Sequence, residues 1–275
     1  MKLALTVALV MVAFAANSIL NRAALEGTGT GPASFAAVRL ASGAALLCLI
    51  VALSGQATHL RFTRAALPGV ATLALYMVGF SLAYLSLASG TGALILFGGV
   101  QITMFVGAIL SREALPPLRI LGALLAFGGL VWLMVPGADQ PDPLGAILMS
   151  IAAIGWGLFS LIGRTSGAPL PTMATSFLWC TPLGLLGWIL APDGMDMAGF
   201  GLALICGAIT SGLGYALWYR VLPQLTASRA AVAQLTVPVI AALGGAAFLS
   251  EDLTLRFALA ALLVLGGVLI SLRAK

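Results

Sequence analysis

Ten apolar stretches, each close to the thickness of a bilayer core, leave this chain little polar sequence from which to build a water-soluble surface. They fall at about 3–21, 34–53, 67–87, 91–110, 118–135, 143–163, 173–191, 198–218, 229–249 and 256–272. A helix needs ~20 apolar residues to cross a ~30 Å hydrocarbon core. Lipid offers no partner for backbone N–H and C=O groups, so spans of this length must be helical, whereas a barrel would show ~10-residue alternating segments. With 61% hydrophobic and 8% charged residues and a mean hydropathy of +1.13, the chain lies well outside soluble composition.

The basic residues test that span count, because cytoplasmic loops carry the excess Lys and Arg. With the N-terminus inside, one face holds Lys2, Arg61, Arg64, Arg112, Arg119, Arg164, Arg220, Arg229, Arg273 and Lys275, while the other holds Arg22 and Arg256. Missing a single span would scramble that bias. The net charge of +5 therefore reflects topology, and no nucleic-acid partner is expected. Met1-Lys2 and the apolar run to Ala13-Phe14-Ala15 superficially match a cleavable leader, but cleavage would leave nine spans and put the new N-terminus outside. Cys48, Cys180 and Cys206 all lie in spans and His59 is the lone histidine, so neither a disulfide framework nor a metal site is expected, and no cofactor.

The second half repeats the first after an odd number of spans. Leu110-Ser111-Arg112-Glu113-Ala114-Leu115 with Gly128-Gly129 recurs as Leu249-Ser250-Glu251-Asp252-Leu253 with Gly266-Gly267, Glu113 and Glu251 being 138 positions apart. Phe14, Ser18 and Arg22 match Trp156, Ser160 and Arg164 at a spacing of 142; Tyr76, Phe80 and Tyr84 match Ser211, Tyr215 and Tyr219 at 135. An odd offset reverses the copy across the bilayer, and inverted repeats of this kind are an architecture of secondary transporters. The expected fold is an all-α integral membrane protein of ten transmembrane helices, arranged as two inverted five-helix repeats. Residues 1–137 form the first, 143–275 the second, and the proline-rich 138–142 a periplasmic linker.

The order of these motifs resembles the drug/metabolite transporter superfamily, specifically its EamA-type ten-helix exporters. The carrying residues are Phe14-Ala15 and Trp156-Gly157, Arg39 early in the second span, Glu113-Ala114-Leu115-Pro116 and Glu251-Asp252-Leu253-Thr254, and the glycine pairs. Within that type the chain is similar to bacterial amino-acid exporters, especially aromatic ones. It departs from the pattern in Phe14-Ala15, where Trp-Gly is usual, and in lacking an arginine opposite Arg39. The resemblance implies a multi-pass inner-membrane exporter of small molecules in the lipid bilayer; the basic bias puts both termini in the cytoplasm, and a monomer is one state among those the sequence leaves open.

Sites in repeat transporters lie near the midplane between the halves. Tyr76, Phe80 and Tyr84 stand at i, i+4 and i+8 on one face, and Tyr215 keeps the aromatic character in the second half. Such a stripe either lines a cavity, where it can hold a flat apolar side chain or a cation, or packs as core. Trp156 lies mid-span, too deep for a headgroup belt. Gln101 and Gln234 are amides inside spans, where each meets another helix or a ligand. Pro238 removes a helical donor and frees the carbonyl of Gln234. Asn17 on the first span is a further polar candidate. Substrate-binding expectations are therefore Tyr76, Phe80, Gln101, Trp156, Tyr215, Gln234 and Asn17.

Arg39 is the formal charge well inside a span, about one and a half turns from its outer end and within snorkelling reach of water. A structural or gating role is expected for it, with carboxylate binding as the alternative; Pro238, Glu113 and Glu251 are read likewise as gating or structural. No Asp, Glu or His lies in mid-span, so transport is expected to be facilitated, or only weakly coupled to protons. The expected function is export of small neutral metabolites, foremost amino acids including aromatic ones, by alternating access. Hydrophobic drugs or sugar-type metabolites are the alternative substrates, and a channel or structural membrane protein the alternative class. A membrane enzyme would need a catalytic constellation that these spans lack.

Overall fold

The computed structural model describes residues 2–61, 63–110, 112, 116–137, 139–221, 224–225 and 233–273. Their long elements are α1 (Lys2–Gly27), α2 (Pro32–Leu53), α3 (Leu67–Ala83), α4 (Ser89–Leu110), α5 (Pro117–Leu133), α6 (Pro143–Thr165), α7 (Pro169–Leu190), α8 (Met197–Val221), α9 (Thr236–Leu249) and α10 (Leu255–Leu272). No strand occurs among the described residues. Among the described residues seven helices are long and apolar enough to cross a membrane, α3 counted with the 3-10 turn before it; α5, α9 and α10 are shorter apolar helices. With 14 residues, α9 is about 21 Å long. The expected start of that span near 229 lies outside the described residues.

The chain marks its own helix starts. Five helices, α2, α3, α5, α6 and α7, open on a proline in the first turn, where the missing N–H has no intrahelical role. Asp142, Asp196 and Thr254 cap α6, α8 and α10 by accepting from the backbone N–H of Gly145, Gly199 and Phe257. α1 runs past the expected end at 21 to Gly27, carried by the i, i+4 pair Arg22–Glu26 at 2.9 Å.

Three of the five equivalent helix pairs of the two halves, α2/α7, α4/α9 and α5/α10, pack against each other and run antiparallel. On α2 and α7, Gly184 lies against Ala37 and Leu40, while the earlier Phe177 lies against the later Gly43. On α5 and α10, Gly122 faces Gly267 and Ser271, and Gly129 faces Leu263 and Val264. Gly90 on α4 meets Ala242 on α9, with Gly245 against Ser89. Other cross-half pairings map onto one another when helix number shifts by five, α3 with α6 as α8 with α1, α4 with α6 as α9 with α1, and α2 with α8 as α7 with α3, whereas the α4–α10 contact lacks an equally extensive α9–α5 counterpart. The reversed direction of these three pairs is compatible with the internal repeat read from the sequence. Glycine permits the closest approach: a Cβ on Gly155 would sit 2.7 Å from the Tyr76 amide nitrogen and 2.8 Å from the Thr72 carbonyl oxygen.

Leu5, Leu9, Leu49, Leu75, Leu124, Phe127 and Leu262 all point outward, giving the apolar perimeter that lipid demands. Polar groups are gathered inside instead, with Asn17, Asn21, Arg39 and Ser211 all buried. At the end carrying the α1–α2 and α7–α8 loops, the halves are tied together. Asp193 accepts from the backbone N–H of Ala33 (2.7 Å) and Ser34 (2.9 Å), so a second-half carboxylate caps a first-half helix. Asp196 accepts from Gly29 N and Thr30 Oγ1.

Candidate functional site: an occluded aromatic and polar cavity

α1, α3, α4, α6 and α8 converge on a cavity lined by Phe14, Asn17, Tyr76, Phe80, Leu96, Phe97, Trp156 and Tyr215. Both halves contribute, and the repeat-equivalent Phe14 and Trp156 both reach it. Its volume is about 10 Å³, room for roughly one water. The site is therefore too small to hold a substrate in this conformation. Its walls are aromatic: Trp156 lies 5.0 Å from the Tyr76 ring and 4.9 Å from Tyr215, Phe80 lies 5.2 Å from Tyr76, and Phe14 meets Tyr215 at 5.5 Å. The hydroxyls of Tyr76 and Tyr215 are 3.4 Å apart.

Behind that wall stands a buried polar cluster centred on Asn17. Its Oδ1 accepts from Thr210 Oγ1 (2.7 Å), Ser211 Oγ (2.9 Å), Cys206 Sγ (3.3 Å) and Arg39 Nη2 (3.4 Å). Its Nδ2 donates to the Thr210 carbonyl at 3.4 Å. Thr210 and Ser211 belong to Ile205–Leu213, where α8 widens into π-helical turns. Such turns concentrate at functional positions because they shift the backbone bonding register and re-aim side chains. The segment also lies tight on α2, since a Cβ on Gly207 would meet the Arg39 backbone.

Arg39 differs from its sequence-based placement. Expected within reach of the outer water, it is 0% exposed and turned into the protein. Nη2 donates to Tyr76 OH (3.0 Å) and Ser211 Oγ (3.2 Å) besides Asn17, Nε donates to Ser211 (3.3 Å), and the guanidinium carbon lies 4.7 Å from the Phe80 ring centre. Depth along a helix axis says nothing about which face a residue occupies, and Arg39 lies on the face turned to α1, α3 and α8.

Of the seven expected substrate residues, the structure brings Asn17, Tyr76, Phe80, Trp156 and Tyr215 together. Gln101 and Gln234 do not line the cavity; Gln101 is half-buried on α4, and Gln234 half-buried just before α9. Pro238 is buried in the first turn of α9, with the helix interrupted at Leu235. Glu113 lies outside the described residues. Glu251 caps α4 through Ser89 N at 2.9 Å and pairs with Arg22 at 3.6 Å, tying the α9–α10 loop to the first half. Partial burial pushes its carboxyl above the usual range. Phe14, Phe97, Thr210 and Ser211 were not singled out as site residues, though a Thr-Ser-Gly run inside an apolar span is a readable signal for the last two.

Residues 143–273, beginning at the first residue of α6, match the EamA-like transporter family. An uncharacterized protein of Pseudomonas aeruginosa is 47% identical over 269 residues, covering 94% of this chain and 91% of its own length. An uncharacterized transporter of Archaeoglobus fulgidus is 27% identical over 251 residues, 89% of this chain and 90% of the relative. A protein of known crystal structure superposes with a TM-score of 0.68 over 96% of this chain and 94% of its own, at 18% identity, a likeness of fold alone.

Proposed function

This chain belongs to the EamA-like transporter family, and on that premise we propose that it exports small neutral metabolites, foremost amino acids with aromatic or apolar side chains, across a bacterial inner membrane. Membership makes it a multi-pass membrane transporter rather than an enzyme. The proposed topology is ten spans in two five-helix halves of opposite orientation, residues 1–137 and 143–275. Both termini are cytoplasmic, and 138–142 is the periplasmic link. The antiparallel α2/α7, α4/α9 and α5/α10 pairs support it, as does the basic bias of the loops.

The observation that carries the reading is a small cavity at the junction of the halves, walled by aromatic rings from both and backed by a polar cluster. Rocking one half against the other opens such a site to one side at a time. Tyr76, Trp156, Tyr215 and Phe80 offer flat faces to an apolar or aromatic side chain, and their ring faces also attract an ammonium group. The periplasmic side is held shut by Asp193, Asp196 and Glu251 acting across the halves. The test is counterflow in proteoliposomes against a panel of amino acids, sugars and hydrophobic cations. Saturable, trans-stimulated phenylalanine or leucine exchange is expected; exchange confined to sugars or to hydrophobic cations would replace the substrate class.

A further inference from the structure

Arg39 carries a charge that no carboxylate among the described residues pairs with. The Arg22–Glu26 and Arg22–Glu251 ion pairs do not involve it, and every hydrogen-bond partner of Arg39 among the described residues is a neutral oxygen. A guanidinium has five N–H donors. Nε and the two hydrogens of Nη2 are engaged by Ser211, Tyr76 and Asn17, whereas buried Nη1 has no hydrogen-bond partner. Burying an unpaired charge is among the most costly arrangements a protein interior can hold.

The neighbours do not need it. Asn17 Oδ1 is satisfied by Thr210 and Ser211, Ser211 Oγ is bonded to Asn17, and the Tyr76 hydroxyl has Tyr215. A purely structural residue at this position would leave partners stranded on removal, and Arg39 strands none. Three of the groups it touches, Asn17, Tyr76 and Phe80, are themselves cavity wall.

We infer that Arg39 is the anion-recognition group of the central site, its two free Nη1 hydrogens taking a carboxylate of the transported molecule. The aromatic wall then receives the rest of that molecule, so the ligand class is a small carboxylate bearing a flat or apolar side chain. This rests on the transport reading above and narrows it: a substrate without a carboxylate leaves the guanidinium unpaired when the site closes.

The experiment is calorimetric titration of the full chain in lipid nanodiscs with L-phenylalanine, phenylacetate, L-phenylalaninamide and phenethylamine. The two carboxylates are expected to bind, and the amide and amine to bind at least about 30-fold more weakly, the loss typical of a buried charge left unpaired. Arg39→Met should abolish that discrimination by weakening only the carboxylates, Arg39→Lys should restore part of it, and neither should unfold at a lower temperature than wild type. Phenylacetate binding without phenylalanine binding would fail the amino-acid reading yet keep the carboxylate site. Saturable transport of phenethylamine with no carboxylate bound would keep a transporter and overturn the inference. Equal binding of acid and amide, or an Arg39→Met protein that loses stability and all four ligands in proportion, would also overturn it.

Discussion

Asn17→Asp would place a permanent carboxylate beside Arg39 in almost unchanged volume. Asn17 Oδ1 and Arg39 Nη2 are 3.4 Å apart, so the new charge meets the guanidinium at contact. At ~4 Å and an effective dielectric of ~20 the attraction is about 4 kcal/mol, and donors from Thr210 and Ser211 are already aimed at that oxygen. Against it stand the desolvation of a second buried ion, several kcal/mol, and the Nδ2 bond to Thr210 O, about 1 kcal/mol. These terms nearly cancel, so the variant should lie within about 2 kcal/mol of wild type. Transport should collapse all the same, because the internal carboxylate holds the guanidinium that the substrate needs, a loss of about 30-fold or more at subsaturating substrate. Thermal unfolding in detergent and phenylalanine counterflow read the two quantities separately. An Asn17→Asp protein that transports at the wild-type rate would refute this reasoning.

Trp156→Ala removes ring contacts to both Tyr76 and Tyr215 and should cut transport more than tenfold, whereas Gln234→Ala, off the cavity, should stay within about twofold; counterflow kinetics of both variants decide. Gly155→Val drives a branched side chain into the α3 backbone and should cost about 1–3 kcal/mol or prevent accumulation, while Gly128→Ala, with nothing within 4 Å, should be silent in thermal unfolding. The Asp196 carboxyl is held below its usual range by the Gly199 backbone N–H, with help from Gly29 and Thr30. A depressed carboxyl stabilises the fold above its ordinary pKa and loses that effect as pH falls through the folded value. The stability difference between wild type and Asp196→Ala should therefore narrow as pH drops into that acid range; a gap that widens there would contradict the assignment.

The spans were legible because lipid imposes one requirement on every residue of a span, and a run of ~20 apolar residues reports it directly. The internal repeat was legible in the sequence itself, from Glu113 and Glu251 lying 138 positions apart in matching motifs. Helix rotation was not. Tyr76, Phe80 and Trp156 could be placed on the cavity because aromatic groups in mid-span need large partners, but Gln101 and Gln234 carry no mark of which neighbour they face. The orientation of a span about its own axis is set by packing against other helices. Arg39 was misplaced for a related reason: snorkelling was judged by distance along the axis, while a Ser211 hydroxyl and an Asn17 carbonyl on other helices decide where the side chain goes. The π-helical turns of α8 likewise coincide with the close packing of Gly207 on α2, a contact between halves that local sequence does not express.

Alternating access is tested most directly by one reporter read from both sides. Phe97→Cys, in a chain whose Cys48, Cys180 and Cys206 are replaced, puts a thiol on the cavity wall. A membrane-impermeant reagent is applied to right-side-out and inside-out vesicles, with and without Asp193→Ala, which removes two cap bonds tying the halves at the end proposed to face the periplasm. The thiol should react from each side, and phenylalanine should protect it. A lost cap of about 1–2 kcal/mol should shift the ratio of outer to inner labelling about 5- to 30-fold. The outer rate should rise as the inner rate falls, since one population is being moved. Labelling that rises from both sides together would reveal a continuous pore and contradict the account.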